Sequence, residues 1–266
     1  MKTPFVLIVL ALALAACEKS APPPSSPPAK QGVAAPAPAP PQPAKELARI
    51  PPKSAWPFLE GAGATPAGEA FDPSAVIKRN YYVVFDASGS MDERKCSGSE
   101  RKIDVAKRAL LQFAQLVPRD ANLGILVFDE QGIHPLVPIG PLEPANLRRA
   151  IAPVSPGGKT PLAQSIREGY RALTARARTQ LGYGEYHLVI VTDGEATGED
   201  PRGIVDRLIS ESPVVVHTIG FCIGDKHSLN QPGRTLYHAA DSPQALEQGL
   251  AEVLAEAPSF HAAKFK

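Results

Sequence analysis

Short apolar runs rich in valine and isoleucine recur through the chain from residue 79 onward. They are nearly continuous rather than alternating with polar residues, which is typical of parallel strands that are buried on both faces of a sheet. Four such runs are predicted as strands: residues 81–85, 123–128, 188–191 and 214–221.

Apolar residues at helical spacing lie between and after these runs. They form stripes within residues 103–117, 162–173 and 246–254, and Pro118 is expected to end the first helix. Strands that alternate with helices indicate an α/β fold with a doubly wound, mostly parallel sheet. Residues 132–139 follow the preceding strand too closely for a helical crossover, so they are predicted as one antiparallel edge strand.

The N-terminal part of the chain differs from this pattern in composition. The 266 residues include 29 prolines, and many of these stand in an alanine-rich stretch at 17–53. Such a segment has too little apolar surface to offset its chain entropy, so a disordered linker is expected there. The predicted organisation is a signal peptide at 1–16, this linker, a collar of uncertain structure at 54–78, the α/β domain at 79–256 and a tail at 257–266.

The first residues of the chain indicate export. A short cationic start, an apolar stretch and small residues precede Cys17, which is the pattern of a secretory signal and is too short for a spanning helix. The sequence Leu14-Ala15-Ala16-Cys17 resembles a bacterial lipobox, which implies lipid on Cys17 and a membrane anchor in the cell envelope, periplasm-facing or surface-exposed. Glu18 after the cysteine favours the outer membrane. An ordinary signal peptide cleaved near Ala16 is the alternative.

The charges of the chain are scattered and sum to +1, so neither nucleic acid nor an acidic substrate is indicated as a partner. The sequence Gly158-Lys159-Thr160 imitates the end of a phosphate-binding loop. However, Pro153 stands where that motif needs glycine, and no strand precedes the segment. No nucleotide is therefore expected.

Small oxygen-bearing side chains follow directly after two of the predicted strands and precede one predicted helix. In an open α/β sheet, ligands bind at the carboxyl ends of the strands, so these side chains are expected to share one rim of the sheet. The threonine among them is predicted at a helix N-cap with proline at the first helical position, where both residues are favoured. The five residues are Asp86, Ser88 and Ser90 after the first strand, Thr160 before the helix, and Asp193 after the strand at 188–191.

In this order, the motifs Asp-x-Ser-x-Ser, Gly-Gly-x-Thr-Pro-Leu and Thr-Asp-Gly-Glu resemble those of a von Willebrand factor type A domain with a metal-ion-dependent adhesion site. The resemblance covers residues 79–256 and implies the Rossmann-like fold of that family. It also implies a divalent ion, Mg²⁺ or alternatively Mn²⁺ or Ca²⁺, which takes oxygen ligands. In the family pattern, Ser88 and Ser90 bind the ion directly, Thr160 binds it directly or through water, and Asp86 and Asp193 hold coordinating waters.

The same resemblance implies a binding function. The ion would keep a coordination position for the acidic side chain of a protein partner, and no nucleophile or general base is placed for catalysis, so the chain is not expected to be an enzyme. Two alternatives stay open. The chain could be a subunit of a metal-dependent enzyme complex of the phosphoryl-transfer or chelatase type, or a structural envelope module with an unused site.

Three further acids, Glu195, Glu199 and Asp200, follow Asp193 closely. They are interpreted as a solvated helix start with Asp200 as its cap. If they faced the site instead, they would repel acidic partners and favour Ca²⁺ or Mn²⁺.

Two cysteines remain once Cys17 is assigned to lipid. Cys96 lies in the loop before the first helix, and Cys222 follows the strand at 214–221, whose end shares the rim in this fold. In an oxidising envelope a disulfide between Cys96 and Cys222 is expected, provided that their Cα atoms lie within about 7 Å. Two independent thiols are the alternative.

Overall fold

The computed structural model describes Trp56 and residues 73–255. The predicted signal peptide, Cys17, the linker, most of the collar and the tail at 257–266 lie outside the described residues. Within the part of the chain that is described, no helix is both long enough and apolar enough to cross a membrane.

Six strands form one mixed sheet in the order β3-β2-β1-β4-β5-β6. Every neighbouring pair is parallel except β2 and β3, which are antiparallel. The predicted fold class and its antiparallel edge strand are therefore confirmed. The strands are β1 (Arg79–Asp86), β2 (Asn122–Asp129), β3 (Gly132–Pro141), β4 (Glu185–Thr192), β5 (Val215–Phe221) and β6 (Leu236–Ala240).

Helices cover both faces of the sheet. The three predicted apolar stripes correspond to α2, α4 and α6, and a single 3₁₀ turn at Gly89–Asp92 follows β1. The helices are α1 (Pro73–Val76), α2 (Lys102–Leu116), α3 (Pro144–Ile151), α4 (Leu162–Thr179), α5 (Arg202–Glu211) and α6 (Pro243–Ala255).

The apolar pattern did not predict α3 and β6, and for α5 the sequence indicated only a helix start near Asp200. Strand β6 has 5 residues and four of them are at least partly exposed, so it carries no continuous apolar run. Helices α3 and α5 have 8 and 10 residues, which is too short for an apolar stripe to repeat clearly. Their positions depend on packing against the rest of the domain.

Strand β1 divides the apolar core into two layers because successive side chains of a strand point to opposite faces. Tyr81, Val83 and Phe85 join the layer formed with α2 and α6. Tyr82 and Val84 join the layer formed with α4 and α5. Since β1 is buried on both faces and paired on both edges, its C-terminal end is held firmly in the middle of the domain.

Trp56 contacts the second of these layers. Its indole ring packs edge-to-face on Tyr186, with 4.9 Å between the ring centroids, and its Nε1 donates a hydrogen bond of 3.1 Å to the hydroxyl of Tyr170. Tyr186 is the second residue of β4. The chain before the domain therefore contacts the end of the sheet at which β4 begins.

A pair of histidines is buried on the sheet. His187 Nδ1 and His217 Nε2 lie 3.1 Å apart in a hydrogen bond, and the His187 ring stacks on Tyr81. Burial, with a smaller effect of the Arg79 charge, lowers the pKa of His187 to about 4. Burial and the neighbouring His187 lower the pKa of His217 to about 3. Both rings are therefore neutral in the folded domain at neutral pH.

These pKa values predict acid destabilisation. Below the ordinary histidine pKa of 6.5 the unfolded chain binds protons that the folded chain excludes, so stability that is present above pH 6.5 is lost as the pH falls towards about 4. Replacing His187→Gln keeps a polar side chain but removes one titrating group. We expect denaturant unfolding curves to show a clearly shallower fall in the free energy of unfolding for this variant over that pH range.

His134→Gln is the matched control, because His134 is partly exposed on the edge strand β3. Its pH dependence should follow that of the wild type. Equal slopes for His187→Gln and the wild type would contradict the assignment.

Candidate metal centre

The centre of the sheet is a topological switch point. Strands β2 and β3 extend the sheet on one side of β1, and strands β4, β5 and β6 extend it on the other. The chain connections therefore run in opposite directions on the two sides of the gap between β1 and β4. Ligand sites in open α/β sheets form outside the carboxyl ends of the strands at this point. Asp86 ends β1, and Asp193 directly follows β4.

The carboxylate of Asp86 is fully buried and held from two sides. Its Oδ1 accepts a hydrogen bond of 2.8 Å from the backbone N–H of Ser88, and its Oδ2 accepts one of 2.6 Å from the hydroxyl of Thr192. Burial, together with the negative charge of Asp193, raises the pKa of Asp86 to about 6. The site thus holds this acid where its charge is unfavourable unless a cation is near.

Asp193 connects the two serines to a lysine. Its Oδ1 accepts a hydrogen bond of 2.6 Å from Ser90 Oγ, which in turn lies 3.2 Å from Ser88 Oγ. Its Oδ2 accepts a hydrogen bond of 2.8 Å from Lys102 Nζ. Asp86, Ser88, Ser90 and Asp193, which are four of the five predicted residues, therefore belong to one continuous hydrogen-bond network.

Backbone hydrogen bonds bring the loop before α4 to the end of β1. The N–H of Gly157 donates to the carbonyl of Ala87 at 2.8 Å, and the N–H of Gly89 donates to the carbonyl of Gly158 at 3.3 Å. This contact carries the buried Thr160 to the same rim as the Asp86–Ser90 turn. The loop of the fifth predicted residue therefore docks against the end of β1 that carries Asp86.

Gly158 permits this close approach. Its φ is +74°, and a Cβ added there would lie 2.7 Å from the carbonyl oxygen of Asp129, so any other residue would be strained. Two hydrogen bonds with Thr197 then fix the backbone of Thr160. The predicted N-cap was wrong by one position: α4 begins at Leu162 with Pro161 as its N-cap, because the carbonyl of Thr160 is turned to Thr197 and Leu162.

The donor atoms fit a hard divalent cation. The predicted ligands offer two carboxylates and three hydroxyls, all of them oxygen, and all except Ser90 are buried. Mg²⁺, Mn²⁺ and Ca²⁺ prefer such ligands, whereas Zn²⁺ favours histidine and cysteine. In the described residues, no group of three or more His, Cys, Asp or Glu side chains is arranged to hold a metal.

The acids that follow Asp193 are exposed and each has a partner outside the rim. The helix start predicted here is present, but the predicted cap was wrong by one position: the N-cap of α5 is Pro201, and Asp200 accepts a hydrogen bond from the backbone N–H of Arg202. The cluster therefore adds no ligand to the five residues. The side-chain pairs are Glu195 with Ser228, Glu199 with Arg167, and Asp200 with Arg202.

The predicted disulfide between Cys96 and Cys222 is absent from the structure, where both residues are free thiols. The two side chains pack in the same region of the core, but the Cys222 thiol donates a hydrogen bond of 2.9 Å to the carbonyl of Lys95. Burial, followed by the neighbouring Cys96, raises the pKa of the Cys222 thiol. The two thiols are therefore neighbours, as the rim position of both loops predicted, but they are not joined by a bond.

Three residues that support the rim were not identified from the sequence. Thr192 holds Asp86, Lys102 holds Asp193, and the buried ring of His227 lies 3.0 Å, through Nε2, from the carbonyl of Gly194. Only Lys102 gives a signal in the sequence. A lysine in the first turn of a helix opposes the helix dipole and suggests a nearby acid.

The fold and the arrangement at its rim define a doubly wound α/β domain with an all-oxygen cluster at the switch point. The family model for the von Willebrand factor type A domain matches residues 80–252, and the chain belongs to this family. The uncharacterised protein YwmD of Bacillus subtilis is 31% identical in an alignment of 173 positions that covers 58% of this chain and 73% of that protein.

Solved structures share the fold at low sequence identity. Proximal thread matrix protein 1 from the mussel byssus, with a zinc-occupied MIDAS motif, has a TM-score of 0.53 and 18% identity, over 67% of this chain and 47% of that chain. The pilus adhesin SpaC of Lactobacillus rhamnosus GG has a TM-score of 0.51 and 17% identity, over 66% of this chain and 30% of that one. The present chain thus matches less than half of either protein.

The raised pKa of Asp86 predicts a conflict between stability and metal binding. In the folded domain the pKa of Asp86 is raised from 3.8 to about 6, so the protonated form of Asp86 favours folding at low pH. This contribution to stability is lost as the pH rises through 6. Asp86→Asn removes the charge, so without metal we expect its free energy of unfolding near pH 7.5 to exceed that of the wild type by about 1–2 kcal/mol. Denaturant unfolding in EDTA measures this difference, which should shrink near pH 4.

Asp120→Asn serves as the control, because Asp120 is exposed and precedes β2 at the opposite end of the sheet. It should leave stability unchanged within about 0.5 kcal/mol. An Asp86→Asn variant that is less stable than the wild type at both pH values would show that the Asp86 charge does not strain the fold.

Proposed function

We propose that this chain is a lipid-anchored bacterial envelope protein whose type A domain binds a protein partner through a divalent ion. Asp86, Ser88, Ser90, Thr160 and Asp193 would hold the ion, with Mg²⁺ favoured over Mn²⁺ or Ca²⁺. The observation that supports the proposal is the hydrogen-bond network of Asp86, Ser88, Ser90 and Asp193 at the switch point of the sheet, with the loop of Thr160 docked against the end of β1.

Each residue would contribute according to its chemistry. The neutral hydroxyls of Ser88, Ser90 and Thr160 would bind the ion, and Asp86 and Asp193 would balance its charge through coordinated waters. When bound, the ion supplies a Lewis-acidic position that accepts a carboxylate oxygen. Because the hydroxyls of Ser88 and Ser90 contact each other and an acid, we assign them to cation binding and propose no catalytic role.

A protein partner is supported by the surface beside the rim. A concave surface follows Asp193, and it presents both charges, with Arg202 and Lys226 facing Asp200 and Asp225. A mixed surface of this kind suits a protein better than a polyanion such as nucleic acid. The pilus adhesin SpaC carries the same fold, which is compatible with a binding role.

An anchor at Cys17 is supported by the lipobox-like sequence Leu14-Ala15-Ala16-Cys17. Trp56 contacts the end of the sheet at which β4 begins, whereas Asp193 follows the other end of that strand. At roughly 3.1 Å per residue, a proline-rich segment of about 35 residues could extend on the order of 100 Å.

Metal binding and partner binding should be lost together. We expect calorimetry on the detergent-solubilised full chain to show one divalent site with a dissociation constant on the order of 10⁻⁴–10⁻³ M. Immobilised protein should retain a partner from solubilised envelopes in Mg²⁺ and release it in EDTA. Asp86→Asn and Ser90→Ala should abolish both signals because each removes an oxygen from the ion's surroundings.

Asp120→Asn should bind metal and partner as the wild type does. Retention of the same partner by all variants in EDTA would contradict a metal-dependent interface. Unchanged Mg²⁺ and Mn²⁺ titrations for both site variants would contradict the metal site itself.

Lipid anchoring has a separate test. Cys17→Ser should accumulate as an uncleaved precursor or leave the membrane fraction, because no thiol remains to carry lipid. Labelled palmitate should enter the wild type, and a Cys222→Ser variant as the matched cysteine control, but not Cys17→Ser. A wild-type protein that is unlabelled and absent from the membrane fraction would rule out the anchor.

A further inference from the structure

Lys102 is the first residue of α2, and only 3% of its surface is exposed. Its Nζ lies 2.8 Å from Asp193 Oδ2, 3.0 Å from Glu93 Oε2 and 3.5 Å from the carbonyl oxygen of Ser90. Two of these three groups belong to the proposed ligands or their backbone. A buried ammonium therefore sits directly behind the metal centre.

The position of this ammonium is unfavourable on local grounds. A cation in the first turn of a helix opposes the positive end of the helix dipole, and a buried charge is costly unless it is paired. Glu93 is mostly exposed, with 60% of its side chain accessible, so the buried partner of Lys102 is Asp193. The lysine is thus retained inside the domain by the carboxylate of the site.

We infer that Lys102 is a built-in counter-ion of the metal site, which neutralises Asp193 when no divalent ion is bound and weakens the binding of that ion. This inference rests on the proposed function for its metal arm. Asp86 and Asp193 are close enough for their charges to interact, so without a cation the two buried carboxylates repel each other. The Lys102 ammonium reduces this repulsion and holds Asp193 in place.

The same charge opposes a second cation. A divalent ion beside Asp193 would be repelled by Lys102 at short range, where water screens little. The Asp193 carboxylate would also have to accept hydrogen bonds from both the Lys102 ammonium and the water molecules that coordinate the ion. The lysine is therefore expected to keep metal binding weak and reversible while allowing the site to stay assembled without metal.

Lys102→Met and Lys102→Gln test this inference by calorimetry on the full chain with Mg²⁺ and Mn²⁺. Methionine matches the length of the lysine stem without a charge, and glutamine keeps a donor for Asp193. We expect both variants to bind Mg²⁺ at least about tenfold more tightly than the wild type, a difference of about 1.4 kcal/mol. In EDTA both should unfold at a lower temperature than the wild type, because two buried carboxylates lose their counter-ion.

Lys107→Met is the matched control, since Lys107 lies on the same helix and its Nζ contacts only the carbonyl of Ala152 among the described contacts. It should leave Mg²⁺ affinity unchanged. Equal Mg²⁺ affinity in the wild type and both Lys102 variants would overturn the inference while leaving the metal site intact. Weaker binding in both variants would also overturn it, because Lys102 would then assist the ion.

A double variant separates failure of this inference from failure of the proposed function. If Lys102 balances Asp193, adding Asp193→Asn to Lys102→Met should restore most of the thermal stability lost by the single variant in EDTA. This arm needs no metal. A wild type without a divalent site would refute the proposed function, whereas a double variant that stays as unstable as Lys102→Met would refute the counter-ion.

Discussion

The central constraint on this domain is the burial of two carboxylates, Asp86 and Asp193, at the ends of neighbouring strands. Burial and the negative charge of Asp193 disfavour the charge of Asp86, and the pKa of Asp86 is raised to about 6 as a result. Neighbouring groups stabilise both carboxylates by donating hydrogen bonds to them. Thr192 and the backbone of Ser88 hydrogen-bond Asp86, and Ser90 and Lys102 hydrogen-bond Asp193. The rim is therefore organised to accept a positive charge.

The scaffold makes this arrangement possible because β1 is immobilised in the middle of the sheet. It is paired on both edges and covered by apolar layers on both faces. The Gly157-Gly158 turn then docks against the end of β1 and brings the loop of Thr160 to the rim. Stability and site geometry are thus coupled, since the same strand that carries Asp86 supplies the centre of the core.

Membership of the von Willebrand factor type A family is consistent with a binding protein, and the details of this chain refine that expectation. The rim and the contact of Trp56 lie towards opposite ends of β4. A domain built in this way can present its rim to a partner while Trp56 packs at the opposite end of β4. The buried Lys102 adds a positive charge inside the centre, which would make metal occupancy sensitive to conditions and to the partner.

The sequence by itself determined the fold class, the main strands and three helices, because buried parallel strands and amphipathic helices leave periodic apolar patterns. It also predicted a candidate site of Asp86, Ser88, Ser90, Thr160 and Asp193, since small oxygen-bearing residues at strand ends interrupt those patterns.

Only the tertiary structure decided how these residues are supported. The pairing of Lys102 with Asp193 joins residues 91 positions apart, and nothing local to either one specifies it. The exposed strand β6 has no pattern of its own, and the orientation of Cys96 and Cys222 depends on how two distant loops meet. Long-range contacts of this kind are set by packing across the sheet, which a periodic pattern along the chain does not record.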